Sequence, residues 1–484
     1  MALSFISVNF LLATPEMSRY SPSRTNNLSP MTTNTKNTAS AGAIETNDIL
    51  PIPSGERHGK PWHLFTVWSS PNLEFATVFI GFLAVIAFGL NVWQAILAIV
   101  VGNGLAAITH GILSTWGPKY GLPQMVLGRS AFGYRGNLLP AGMSTLVAGI
   151  GWFAVNSTSG AFALQALTKL PIEIDLAIVV AAQIGIAFVG HNLIQKFERY
   201  AFYYLVVVFG IGAVLVLGQG NYVIPAGHES FNLAGFTLTA AAAYGYTAGW
   251  TAFASDYSRY MPANVSSRQV GLFAGFGNFF ATTLLMIVGA VAWTVISPDG
   301  NPTELFTGML PQWLGALTLL GIAVGSIGAN VLNVYSGAMS FLAMGFNFGF
   351  KTRRAVMVAI AGVFGTITAY LAITGNFVQQ FEGFLLVVSY WVAPWIAVVV
   401  TDSIIRKGQD IGALAQNTKR ENAAGVIAFV VAVVVSIWGF CNQIAYTGPL
   451  AKQYGLGDVT PVVGFILAAV LYAVLAKVLK TDKK

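Results

Sequence analysis

The chain has 484 residues, 55% of them hydrophobic and 9% charged, with a mean hydropathy of +0.67. Soluble proteins carry roughly a quarter charged residues, so an ordinary soluble fold is excluded, and apolar runs long enough to cross a bilayer recur along most of the length. The net charge of +7 comes from basic residues in short segments between those runs, which excludes a nucleic-acid footprint, and a single cysteine, Cys441, excludes an internal disulfide.

Residues 1 to about 60 are rich in Ser, Thr, Asn and Pro and read as a disordered cytoplasmic tail. No Lys or Arg precedes the apolar run at 5–13, which argues against a cleaved signal peptide; Met17 and Met31 are further candidate starts. A transporter domain is expected over 61–484, all-α and polytopic. Its spans fall at about 73–90, 93–114, 138–167, 176–194, 201–219, 233–254, 270–297, 314–347, 354–373, 383–402, 423–442 and 461–478. That makes about twelve helices.

Basic residues set the orientation. With the N-terminus inside, the cytoplasmic segments hold Lys119, Arg129, Arg135, Lys196, Arg199, Arg259, Arg268, Lys351, Arg353, Arg354, Arg406, Lys407, Lys419, Arg420 and the C-terminal lysines, whereas the outer loops hold only Lys169 and Lys452. The positive-inside rule then places both termini inside, and a plasma (cytoplasmic) membrane location with cytoplasmic termini is expected.

Two helices carry mid-span irregularity: the first at Gly81, in N-L-E-F-A-T-V-F-I-G-F-L-A, and the sixth at Gly245 and Gly249, in the stretch 244–262 that also contains Trp250 and closes on Asp256 and Arg259. A broken helix is tolerated in lipid only where its freed backbone faces protein or a water-filled cavity. Breaks at corresponding places in two halves point to inverted repeats, here about 70–220 and 230–403, with peripheral helices over 423–478 and a site near the midplane.

Helix three places Trp152 and Asn156 four apart on one face, and helix eight places Asn330 and Asn333 three apart. Any one of these asparagines could serve only as a hydrogen bond between helices. Together with Trp152 and Trp250 they suit a flat, neutral heteroaromatic ligand: indoles stack on a ring, and carboxamides offer the mixed donor and acceptor pattern of a nucleobase edge. No charge falls between Trp152 and Asn156 or between Asn330 and Asn333.

The runs G-L-P-Q-M-V-L-G-R-S-A-F-G-Y-R-G-N (121–137), I-G-W-F-A-V-N (150–156), K-F-E-R-Y (196–200) and G-Y-T-A-G-W-T-A-F-A-S-D-Y-S-R-Y (245–260) resemble the nucleobase–cation symporter-1 family, in its purine–cytosine permease branch. The resemblance covers about residues 60–450. It implies the leucine-transporter-like fold of two inverted five-helix repeats plus two peripheral helices, and secondary active import of a nucleobase such as cytosine, adenine or hypoxanthine. It also implies Trp152, Asn156, Gly249, Trp250, Asn330, Asn333 and Thr77 as substrate-binding positions.

One departure from the family pattern bears on the coupling ion. Sodium-coupled relatives have hydroxyl residues just before the helix-eight asparagine, where this chain has Gly328 and Ala329, although Ser326 is near. Sodium needs oxygen ligands, so a proton is the expected coupling ion, with Glu198 of the K-F-E-R-Y motif as its candidate carrier. Its alternative is an ion pair with Arg199 or Arg129. His110, His191, Glu382 and Asp402 are the other ionisable groups in or beside the spans; His110 and Asp402 are expected to be solvated or paired at helix ends. A sodium-coupled carrier of a hydantoin, allantoin, uracil or a vitamin, or a passive facilitator, is the alternative reading. No H-E-x-x-H pair or nucleophile elbow supports an enzyme, and no cofactor, metal or obligate protein partner is expected.

Overall fold

The computed structural model describes residues 49–189, 191–297, 300–345 and 350–481. The expected tail as far as residue 48, with Met17 and Met31, lies outside them, as do Lys483, Lys484 and the side chains of His191, Lys351, Arg353 and Arg354. Residues 49–60 depart from the expected tail. Ile52 is buried, the Arg57 Nη1 donates to the Pro118 carbonyl at 2.7 Å, and the His58 amide donates to the Tyr260 carbonyl. The apolar, proline-stiffened run I-L-P-I-P supplies the anchor that bulk composition hides.

Helix α1 comes in two parts, α1a (His63–Asn72) and α1b (Phe75–Ala87), bent by 62°. Then follow α2 (Val92–Tyr120), α3 (Leu138–Thr168), α4 (Ile172–Val189) and α5 (Lys196–Gln219). Helix α6 is split into α6a (Leu233–Gly249), a 3-10 turn (Trp250–Phe253) and α6b (Ala254–Ser258). The remainder are α7 (Ser267–Ala292), α8 (Gln312–Ala343), α9 (Ala355–Thr374), α10 (Phe377–Ile405), α11 (Ala423–Phe440) and α12 (Thr460–Val478). Among the described residues nine unbroken helices are long and apolar enough to cross a membrane, ten with α1. Helices α4 and α6a stand where the other two expected spans were drawn. Helix α4 carries Glu173 and Asp175 in its first turn, and α6a runs only 17 residues before its geometry changes.

The packing follows an internal exchange of halves. Helix α1 lies on α7 as α6 lies on α2, the equivalent members α2 and α7 meet, and so do α3 and α8; α11 and α12 pack together and on α10. Apolar side chains such as Ile108, Val214 and Val470 face outward, as a lipid-facing surface requires. At one end, buried Asp458 ties α10 to the start of α12: Tyr390 Oη donates to it, as do the amides of Asn442 and Thr460. Burial pushes the Asp458 carboxyl up, and those donors oppose the shift.

The break in α1 is not at Gly81. It falls at Leu73 and Glu74, two residues past Pro71: Leu73 has φ −84° and ψ 67°, and Glu74 is extended at φ −151° and ψ 171°. Pro71 has no N–H with which to continue the α-helical ladder, and the chain passes through a 3-10 turn, Ser70–Asn72, before it leaves helix. Gly81 instead marks a helix crossing. A Cβ there would stand 1.9 Å from the Met286 carbonyl oxygen of α7, and one on Gly289 of α7 would stand 1.8 Å from the Val78 carbonyl oxygen. Gly245 serves likewise, since its Cβ position is 2.3 Å from the Leu385 carbonyl oxygen of α10. Gly81→Ala should therefore force α1b off α7 and destabilise the purified protein by about 1–3 kcal/mol, read as a lowered thermal midpoint. Gly55→Ala, with nothing within 4 Å of its Cβ position, is the matched control and should leave the midpoint unmoved.

Candidate substrate site

The two breaks bring side chains from α1, α3, α6, α8 and α10 together. Trp152 ends a π-helical stretch, Val147–Trp152, and such a bulge re-aims the side chain that follows the extra residue. Its indole meets Tyr246 of α6a edge-on at 5.2 Å and Phe384 of α10 at 4.9 Å. It also lies over Gly249, where a Cβ would be 3.4 Å from indole atoms. Bare backbone at Gly249 thus faces the ring. Trp250 opens the 3-10 turn and donates from Nε1 to Asn72 Oδ1 at 2.9 Å, with its ring 6.0 Å from Trp68. Trp152 and Trp250 are each 7% exposed, so the site is sealed in this structure.

The three asparagines meet but do not play equal parts. Asn330 is committed to protein: its Nδ2 donates to the Phe153 carbonyl (2.9 Å) and to Ser157 Oγ (3.2 Å), and its Oδ1 accepts from Asn156 Nδ2 (2.9 Å) and Asn333 Nδ2 (3.5 Å). Ser157 in turn donates to Gln183 Oε1 of α4 at 2.9 Å. Asn156 and Asn333 are then left with one bare oxygen each, Oδ1, buried and without a hydrogen-bond partner. An unmatched buried acceptor costs about 1–3 kcal/mol, so two of them on amides joined through Asn330 mark a place where a donor belongs. Thr77 is occupied as well; its Oγ1 donates to the Asn72 carbonyl at 2.8 Å and is hydrogen-bonded with Tyr246 Oη at 2.7 Å.

Two groups of importance were hidden in the sequence. Glu74, in the α1 break, is wholly buried; Oε1 accepts from Tyr246 Oη at 3.0 Å and Oε2 has no partner. Asn72 holds the two breaks together, accepting from Trp250 and donating to Asn278 Oδ1 of α7 at 3.3 Å. The signal was Pro71-Asn72-Leu73-Glu74 at the mouth of an apolar run.

The ionisable candidates separate clearly. Glu198 is 3% exposed and neither carboxylate oxygen has a partner. Arg129, which could have paired with it, donates instead to the carbonyl of Ala343, at 3.2 Å from Nε and 3.0 Å from Nη2. Glu198 Oε1 stands 2.7 Å from where a Gly328 Cβ would be, so the missing side chain at Gly328 makes its room. Ser326 turns the other way, toward Gly160 of α3, and donates to the Ala323 carbonyl at 2.9 Å. A cavity of about 340 Å³ between α1a and α5 reaches Glu198 past His63, Thr66 and Arg199. Asp402 is paired, with Arg406 Nε at 2.7 Å and Ser130 Oγ at 2.8 Å donating to it. His110 is neither solvated nor paired: it is fully buried, both ring nitrogens lack partners, and its ring meets Trp68 edge-on at 4.3 Å. The helix end there is covered by α1a, which reading α2 alone did not reveal. Glu382 is half-buried. Asp256 Oδ1 accepts from the Gln124 amide at 2.9 Å and Arg259 donates to Tyr260 Oη at 3.1 Å, so both brace the end of α6.

A bundle with polar groups buried at two broken helices, related by an internal repeat, is built as a transporter and not as an enzyme. The family described as permease for cytosine/purines, uracil, thiamine, allantoin matches residues 51–464, and the chain belongs to it, within the nucleobase–cation symporter-1 transporters. It is a transporter of nucleobase-like substrates. YxlA of Bacillus subtilis (strain 168), which carries a purine-cytosine permease name, is 28% identical over 452 residues, 90% of this chain and 96% of its own. The purine-cytosine permease fcyB of Emericella nidulans is 27% identical over 457 residues, 89% of this chain and 88% of its own. In fold the chain is similar to Mhp1, a nucleobase-cation-symport-1 family transporter, in a closed conformation with bromovinylhydantoin bound. The TM-score is 0.70 at 18% identity, covering 90% of this chain and 97% of that one.

Proposed function

We propose that this chain is a secondary active importer of a neutral nucleobase, cytosine or a purine such as adenine or hypoxanthine. It works by alternating access across the plasma membrane, is coupled to protons, and keeps both termini in the cytoplasm. The observation that carries the reading is the pair of bare amide oxygens, Asn156 Oδ1 and Asn333 Oδ1, joined through Asn330, with Trp152 one helical turn from Asn156 and packed over the buried backbone at Gly249. An indole face and two neutral acceptors fit the ring and the N–H groups of a base, and nothing there compensates a substrate anion. Purine–cytosine permease names among the similar proteins support the same substrate class. The positive-inside pattern supports the orientation. Proton coupling is supported by Glu198, a buried carboxyl with both oxygens bare, standing where Gly328 leaves space and facing away from the Ser326 hydroxyl.

Asn156 and Asn333 are proposed to read the substrate edge, with Asn330 holding both in register. Asn156→Ala or Asn333→Ala should cost about 1–3 kcal/mol for bases that present both donor and acceptor on one edge, and less for analogues lacking that edge. Competition of unlabelled bases against labelled cytosine or adenine uptake, at matched surface expression, measures this. An equal loss across the panel would make the asparagines interhelical braces only.

A further inference from the structure

We infer that Glu74 is a substrate-reading acid: in its protonated form it pairs with the amidine edge of an aminopyrimidine or aminopurine, so that base and proton bind together. This rests on the nucleobase reading above and specifies which bases the site favours.

The placement comes from a chain of contacts. Tyr246 touches Trp152 through its ring and Glu74 through its hydroxyl, so Glu74 shares a wall with the indole at the α1 break. On the α8 side, Gly325 gives Glu74 its room, a Cβ there being 3.0 Å from Glu74 Cβ. Among the carboxamides of Asn156 and Asn333 and the carboxyl of Glu74, every atom without a partner is an oxygen. The Nδ2 groups of Asn156 and Asn333 each keep a second N–H, but Glu74 when ionised can only accept from the part of a base that faces it. A ring nitrogen such as N3 of cytosine or N1 of adenine would be buried unmatched, and an unmatched buried acceptor is costly. A proton on Glu74 Oε2 supplies the missing donor. Oε1, which keeps a second lone pair beside the Tyr246 bond, accepts from the neighbouring exocyclic amine. The proton comes from the aqueous phase to which the site opens and departs with the base, leaving the carboxylate.

The groups around Glu74 agree with this. Tyr246 is the titratable group facing it from α6. From α5, Glu198 lies one turn of α1 further along, where Ser70 Oγ donates to its main-chain carbonyl at 3.3 Å. Helices α7 and α8 present Asn278 and Gly325, and no Lys, Arg or His among the described residues pairs with Glu74.

Binding to the purified full chain, followed by quenching of tryptophan fluorescence, tests the inference with cytosine, adenine, uracil and hypoxanthine. For the first two, affinity of the parent should fall by up to about tenfold per pH unit above the titration of the acid, and for the last two, whose ring N–H can still donate to the carboxylate, the fall should be shallower. Glu74→Gln offers the same carbonyl and N–H pair without a titrating proton. It should bind cytosine and adenine with an affinity flat in pH, and its proton uptake on binding, read in weakly buffered solution, should be smaller by about one. Glu74→Ala should lose at least about tenfold for the same two bases. A Glu74→Gln protein that keeps the parent's pH dependence and proton uptake overturns the inference, as does one that stays folded yet no longer binds. If the parent alone binds cytosine and adenine with no proton uptake at any pH, the inference falls whatever the variants do. A parent that binds none of the four bases overturns the nucleobase reading itself.

Discussion

Glu198→Gln should leave substrate binding intact and sharply reduce concentrative uptake, leaving exchange, downhill flux and only such accumulation as a proton carried on Glu74 supports. A carboxyl that is 3% exposed and lacks any partner for either oxygen is costly to keep in a membrane span for packing alone. Glutamine keeps the size and fills the same space beside Gly328 but cannot carry a proton. The expected loss is therefore in accumulation ratio and not in affinity. Gly328→Ala provides an independent test: its methyl would stand 2.7 Å from Oε1 and must displace the carboxyl, so it should impair coupling in the same way without touching the acid. Uptake into cells or proteoliposomes with and without a protonophore, set beside equilibrium binding, measures both. A Glu198→Gln protein that concentrates substrate as the parent does would move the proton to another group.

Trp152→Ala and Trp250→Ala should each raise the apparent KM for nucleobases by roughly 5–150-fold, since stacking of a base on an aromatic side chain is worth ~1–3 kcal/mol by alanine substitution. The two need not be equal. Trp250 also holds Asn72 across the two helix breaks, so its loss should lower kcat together with affinity, whereas Trp152→Phe should recover part of the affinity by restoring a ring over Gly249. Kinetics at matched surface expression separate these effects. Parent-like constants in both alanine variants would place the site elsewhere.

Much of this arrangement was legible in residue spacing, because helical periodicity is local. Trp152 with Asn156 and Asn330 with Asn333 lie on the helical faces that their spacing sets, and the break before Trp250 follows the last glycine of its stretch. What sequence could not separate was the use of a glycine. Gly81 and Gly249 look alike in an apolar run, yet one is pressed against a carbonyl of α7 and the other faces an indole, and only the neighbouring helix decides. Glu74 escaped for a related reason. Drawing the first span from residue 73 put its acid at a membrane edge, whereas α1 begins at His63 and places that acid mid-bundle. Asn330 looked equal to its two neighbours until the Phe153 carbonyl and Ser157 hydroxyl were found to occupy it.

Uptake of labelled cytosine and adenine into proteoliposomes, with proton and sodium gradients imposed separately, tests the central claim most directly. The account predicts accumulation above equilibrium that follows an inward proton gradient, collapses with a protonophore and is indifferent to sodium. Accumulation that requires sodium and ignores the protonophore would contradict it, returning a cation to Ser326 and backbone carbonyls. Absence of uptake of either base under both gradients would contradict the substrate assignment.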